Sequence, residues 1–291
     1  VTDGGTTWLV EPFSFPRYGD SLVADFVANA DPHLERTQAP LYFQGGNILV
    51  GDDFFLIGAD YPANTLRYVG NVLLPGPQER PADLVRRLYG EYLDPCRRLG
   101  YVGSTLPVPE QRTRRFTLDG QEWTEVLYAG NQPGTTQPIF HIDMFVTLAG
   151  RGPDGRYRIL VGDPRAAAEL LDRDLPAHAM AHVFDDVAAG LDRQGFDVVR
   201  NPLPLVYVDD PDRRERLWYF ATGNNALVGG GIVYLPTYGH GAWAELTVTD
   251  HANAQIWTEL GLQVTYLADF HPFAENLGAV HCIKKYLARA D

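Results

Sequence analysis

The chain has 291 residues, 45% of them hydrophobic and 12% aromatic, which is enough apolar surface for a large packed core. Its formal net charge of -13 excludes the electrostatic footprint of a nucleic-acid binder or of a protein that docks on anionic membranes, and it favours a cationic ligand. Two cysteines, Cys96 and Cys282, are too few for a disulfide framework.

In chain order, the first residues are Val1-Thr2-Asp3-Gly4-Gly5, with no initiator methionine. The expectation is a fragment or processed form of a longer protein. Pro12 to Asp20 follows as a turn carrying Arg17. Gln44-Gly45-Gly46-Asn47 opens a strand. Asn47 to Val50 and Phe54 to Ile57 form a hairpin across Gly51-Asp52-Asp53. Pro81 to Gly100 is predicted as a helix, because Leu84, Leu88, Tyr92 and Cys96 recur every four residues, with Val85 and Tyr89 widening the stripe. On that pattern Cys96 is a small buried core residue.

Glu122 to Ala129, Pro138 to Leu148 and Tyr157 to Gly162 are predicted strands, the last two separated by the turn cluster Arg151-Gly152-Pro153-Asp154-Gly155. Ala177 to Gln194 is an amphipathic helix, and Phe196 to Val199 a strand. Tyr219 to Ala226 and Ile232 to Leu235 are strands. Asp250 is a predicted N-cap for a helix through Leu260, and Gln263 to Leu267 is a strand. Cys282 begins a final helical stretch from Ile283 to Ala288. No apolar run approaches the roughly 20 residues of a membrane span. The alternation predicts a single α/β domain, 1–291, built of structural repeats. The acidic pairs Asp52-Asp53, Asp185-Asp186 and Asp209-Asp210 are expected as solvated turns and helix faces.

Two stretches carry ionisable chemistry. In a strand, His141 and Asp143 project to one face, amid Phe140, Phe145, Val146 and Leu148. Such a pair is costly to bury unless it is paired or used, and a satisfied structural pair or a metal-ligating His-x-Asp are the other readings. Cys282 ends Gly278-Ala279-Val280-His281-Cys282 at the entry to a helix, where the dipole lowers a thiol pKa. His281 is adjacent to it, so in a strand it faces the other way and is not the expected base.

Taken together and in order, Asp3-Gly4-Gly5, Gly45-Gly46-Asn47, His141-Ile142-Asp143 and His281-Cys282 resemble the motifs of the pentein superfamily of guanidine-modifying enzymes. Within it they are most similar to the branch of agmatine deiminases and bacterial peptidylarginine deiminases. Asn225 precedes Val233-Tyr234-Leu235-Pro236 as an active-site Asn precedes a strand end in the bacterial peptidylarginine deiminases. The resemblance implies a five-bladed α/β propeller of ββαβ-type repeats, here lacking its N-terminal part. It implies Cys282 as nucleophile, His141 as general acid and base, and Asp143 and Asp3 as carboxylates gripping a guanidinium, with Asn225, Gly46 and Arg17 at the substrate. Gln44 and Asn47 are candidates for orienting the site. No cofactor and no metal are implied.

The expected activity is hydrolysis of a guanidino group to a ureido product and ammonia through a covalent thiouronium. The partner is a cationic guanidino small molecule or an arginine-containing peptide. Arg17 suits a substrate bearing a carboxylate better than agmatine, which has none. An amidinotransferase with the same Cys–His–Asp chemistry is the first alternative, and a catalytically silent pentein binding module the second. A cysteine protease has no use for the paired carboxylates.

Overall fold

One strand arrangement recurs along the chain in the computed structural model, which describes residues 2–3, 5–14 and 19–283. Strands β1 (Thr2–Asp3) and β2 (Thr6–Glu11) are antiparallel, helix α1 (Asp20–Ala30) crosses over, and β3 (Leu34–Gln38) returns parallel to β2. A parallel return requires a crossover of this length, and the helix supplies it. Next come β4 (Ile48–Val50) and β5 (Phe54–Gly58), then helices α2 (Asp60–Val69) and α3 (Pro81–Leu93), then β6 (Arg98–Val102) beside β5.

The later strands are β7 (Arg112–Leu118), β8 (Gln121–Leu127), β9 (Val146–Arg151), β10 (Tyr157–Asp163) and β11 (Asp197–Pro202). They continue with β12 (Leu205–Asp210), β13 (Glu215–Phe220), β14 (Leu227–Gly229), β15 (Ile232–Thr237) and β16 (Gln263–Asp269). Among the described residues they make one four-stranded sheet, β12-β13-β8-β7, and two three-stranded sheets, β11-β10-β9 and β14-β15-β16. Helices α4 (Pro164–Leu170) and α5 (Ala181–Arg193) link β10 to its parallel neighbour β11, and α6 (Thr247–Glu259) links β15 to its parallel neighbour β16. The architecture is thus mixed α/β with five small sheets. Its contacts cluster into two compact units, Val1–Tyr101 and Val102–Asp291.

Each unit has its own core. In the first, all five residues of β5 are buried, and Phe55 and Ile57 pack with Leu84, Val85, Leu88 and Tyr89 of α3. The predicted hairpin is present, with Ile48 opposite Ile57 and Val50 opposite Phe55. Gly51 is required at its loop, since a Cβ there meets the Phe54 ring at 2.4 Å. In the second unit, Leu160, Val233, Leu235 and Trp257 form one cluster, and Val206, Tyr219, Tyr238, Phe270 and Val280 another.

Several predicted elements end elsewhere. Helix α3 stops at Leu93 instead of running to Gly100. Pro95 has no N–H to donate and disfavours helical backbone at Asp94, so the chain turns. The Asp94 carboxylate catches the backbone N–H of Cys96 and Arg97, and Cys96 is exposed instead of buried. Asp250 is not an N-cap. It lies inside the first turn of α6, and its carboxylate accepts from the backbone N–H of Tyr238 and Gly239. The acidic pairs are more than solvated faces. Asp186 accepts from Ser104 and Thr105, Asp185 pairs with Arg165 and Arg200, and Asp209 forks onto Arg216. Among the described residues no helix is long and apolar enough to cross a membrane.

Candidate active site

The segment around Asp143 is not the strand its apolar run predicts. His141 is extended (φ -126, ψ 141), Ile142–Met144 is a 3-10 turn, and the strand β9 starts only at Val146. Ile142, Asp143, Met144 and Phe145 are all buried, so the run carries no periodicity that separates strand from turn. Other elements fix the turn by capturing its carbonyls in succession. Asn225 Nδ2 donates to Asp143 O at 3.2 Å, Thr222 Oγ1 to Met144 O at 2.6 Å, and the Gly162 N–H to Phe145 O at 2.9 Å.

The donors Thr222 and Asn225 lie in the irregular stretch 221–226, predicted as strand, which follows β13. A cluster of buried amides holds it. Asn224 and Asn201 exchange side-chain hydrogen bonds of 2.9 and 3.1 Å, and Asn201 Nδ2 also donates to Asn253 Oδ1 at 2.7 Å. Thr147 Oγ1 donates to the Asn224 carbonyl. Gly223 passes so close to this cluster that a Cβ meets Asn253 Cγ at 2.9 Å.

The segment carrying Cys282 comes from the far end of the sequence. Ala279 and Val280 are buried beside Tyr219, Tyr238 and Phe270, and His281–Ile283 is a 3-10 turn. Asn225 joins the two segments. Its carbonyl accepts from the His281 N–H at 3.1 Å, its Oδ1 accepts from the Cys282 N–H at 3.2 Å, and its Nδ2 reaches Asp143 O. Asn225 is fully buried and both ends of its amide are engaged by protein, so here it is a clamp between segments. Asn225→Ala is expected to leave the buried carbonyl of Asp143 and the part-buried N–H of Cys282 without these partners and to cost about 2–3 kcal/mol, read as a lower urea midpoint at unchanged slope.

Asp143 is the centre of the arrangement. Its side chain is 2% exposed. Oδ2 receives His281 Nδ1 at 2.8 Å and lies 3.8 Å from the Cys282 sulfur. Oδ1 is buried and has no hydrogen-bond partner among the described residues. Cys282 as a residue is exposed, yet protein atoms crowd the sulfur. That desolvation, followed by the negative charge of Asp143, pushes the thiol up to about 12. The helical stretch expected from Ile283 to Ala288 lies, beyond Ile283, outside the described residues. The described turn is a single 3-10 turn, and its thiol is burial-raised and carboxylate-opposed.

Sequence reasoning passed over His281. It places consecutive residues on opposite faces, which holds for a strand. In a 3-10 turn successive side chains differ by about 120°, so His281 and Cys282 both reach Asp143. His141 stacks on Phe140 with ring centroids 4.6 Å apart. Asp3, at the end of β1, and Gly46, in the 3-10 turn Gly45–Asn47 ahead of β4, belong to the first unit. Arg17 lies outside the described residues. Among those residues no group of three or more His, Cys, Asp or Glu is placed to hold a metal ion.

No protein-family model matches the chain, and no curated protein matches it in sequence. Solved structures match its fold. An agmatine deiminase of C. jejuni with substrate bound has a TM-score of 0.56 at 13% identity, over 95% of this chain and 66% of that one. A provisionally named agmatine deiminase gives 0.58 at 17%, over 97% and 69%. The chain has the pentein fold. A provisionally named arginine deiminase of Porphyromonas gingivalis gives 0.56 at 15%, over 94% and 68%. The chain spans about two thirds of the length of the structures it matches.

Proposed function

We propose that this pentein is a guanidino-group deiminase with Cys282 as its nucleophile. The observation that carries the reading is the buried Asp143 carboxylate, with Oδ1 lacking a partner among the described residues and Oδ2 3.8 Å from the thiol. A buried unpaired carboxylate oxygen is costly, and a guanidinium satisfies it with N–H donors and positive charge together. The same cation presents an electrophilic carbon to the sulfur. In this reading the five sheets among the described residues are the five blades of a pentein propeller.

The raised thiol has a place in this chemistry. At neutral pH the resting sulfur is protonated. A unit positive charge about 4 Å away stabilises a thiolate by roughly 4 kcal/mol at an effective dielectric constant near 20, equivalent to about 3 pKa units. A substrate cation thereby favours the small thiolate fraction that attacks it, the proton shed by the thiol leaving to solvent. The thiolate adds to the guanidinium carbon and forms a tetrahedral adduct. His141 protonates the departing nitrogen, ammonia leaves, and a thiouronium remains on Cys282. His141 then takes a proton from water, which attacks the same carbon. Collapse breaks the C–S bond, frees the ureido product and returns the thiol.

The test is product analysis with agmatine, arginine, an arginine-terminated peptide and a methylated arginine. The expected result is equimolar ammonia (an alkylamine for the methylated substrate) and ureido product from at least one of them, lost in Cys282→Ala. The arginine-terminated peptide or arginine is expected to exceed agmatine in kcat/KM, and Arg17→Ala to narrow that gap. Formation of a new guanidino compound from an added amine, without ureido product, indicates amidino transfer instead. No conversion of any substrate overturns the reading.

A further inference from the structure

We infer that His281 is a positioning residue that sets the orientation of the Asp143 carboxylate, an inference that rests on the guanidinium reading above. An aspartate carboxylate turns in a broad, roughly two-fold torsional well. Among the described residues Oδ1 has no hydrogen-bond partner to fix the plane from that side. The contact of His281 Nδ1 with Oδ2 at 2.8 Å does so. It occupies one oxygen, pins the plane and leaves Oδ1 to meet a substrate N–H.

The geometry also selects the tautomer. Oδ2 of a carboxylate only accepts, so Nδ1 of His281 carries the hydrogen. The ring is held for this task from its own backbone, because the His281 N–H donates to the carbonyl of Asn225, whose side chain grips Asp143 O. His281 is thus tied to the Asp143 segment at both its backbone and its ring. Cys282 approaches the same Oδ2 at 3.8 Å. The carboxylate oxygen that faces the sulfur is therefore the one already occupied by a donor, and the other oxygen remains for the cation.

An asparagine amide nitrogen overlays imidazole Nδ1, whereas alanine offers no donor. Two measurements on the full chain follow. First, nitrogen-15 spectra of the histidine rings are recorded at neutral pH for the unaltered protein and for Asp143→Ala, with the His281 signal identified by its loss in His281→Asn. The expected result is an Nδ1–H tautomer that disappears in Asp143→Ala. An Nε2–H tautomer in the unaltered protein overturns the proposal. Second, methylguanidinium is titrated into Cys282→Ala protein, which cannot turn over. Adding His281→Ala is expected to weaken binding about tenfold, the loss of one aligned charge-assisted contact, and adding His281→Asn to leave it within about twofold. Equal losses in the two variants, or none in His281→Ala, overturn the proposal while leaving the guanidinium reading in place. Absence of binding by the Cys282→Ala parent overturns that reading and the inference with it.

Discussion

Cys282→Ala is expected to lower turnover by on the order of 10⁴-fold or more, to the limit of detection in an ammonia assay, because covalent catalysis has no second route in this site. The folded state should be unaffected. The residue is exposed, and its structural contribution, the N–H donated to Asn225, belongs to the backbone and survives the substitution. Thermal and urea midpoints should therefore stay within the range typical of surface changes, about 0.5 kcal/mol. Cys96→Ala is the matched control. Cys96 is also exposed, in the turn after α3, and no site residue touches it among the contacts described. Full activity in Cys96→Ala with none in Cys282→Ala assigns the covalent adduct to one sulfur, and trapping that adduct by mass spectrometry after an acid quench confirms it. Comparable turnover in Cys282→Ala and the unaltered protein excludes covalent catalysis.

Asp143→Asn should act in two opposite directions. Turnover should fall by about 100-fold or more, since the substituted amide keeps the shape of the carboxylate but loses the charge that holds the cation. The free thiol should become more reactive. Desolvation is the largest cause of the raised Cys282 pKa and the Asp143 charge the second, so removing the charge brings the pKa down without returning it to the ordinary thiol range. Below its pKa a thiol is alkylated in proportion to its thiolate fraction, about tenfold per pH unit. Iodoacetamide should modify Cys282 of the unaltered protein slowly at pH 7 and tenfold faster with each unit up to pH 10, with no plateau. The Asp143→Asn profile should have the same slope but lie higher at every pH. A plateau near pH 8 in the unaltered protein contradicts a thiol pushed up to about 12, and a slower variant contradicts the assigned role of Asp143.

The hairpin at 48–57 and the core face of α3 were legible because each obeys one local period. The places where the reading went wrong share a cause. Helix α3 was extended through Pro95 because the four-residue spacing outweighed the missing proline N–H. Pro138 to Leu148 reads as one strand because the buried run 142–145 carries no alternation. His281 is set facing away from Cys282 by strand geometry, because nothing in the composition there marks a 3-10 turn. Asp143, Asn225 and Cys282 each stood out by type and motif, but the bonds among them bridge 82, 57 and 139 positions of sequence. No local rule reports such contacts. The amide cluster of Asn201, Asn224 and Asn253 was invisible for the same reason, and it shapes the loop that carries Asn225.

The protonated state of the resting Cys282 also bears on how the protein survives oxidants. Peroxide reacts with thiolates, and susceptibility to sulfenic acid formation follows thiolate character. An exposed nucleophile with a depressed pKa stands open to that damage at all times. Here the residue is exposed but its sulfur is held as thiol by crowding and by Asp143. It becomes oxidisable when a cation occupies the site, at the moment when the cation also covers it. Inactivation by hydrogen peroxide at pH 7 should therefore be slow in the free protein and faster in Asp143→Asn; under the proposed function one carboxylate would then both bind the substrate and shield the nucleophile between turnovers.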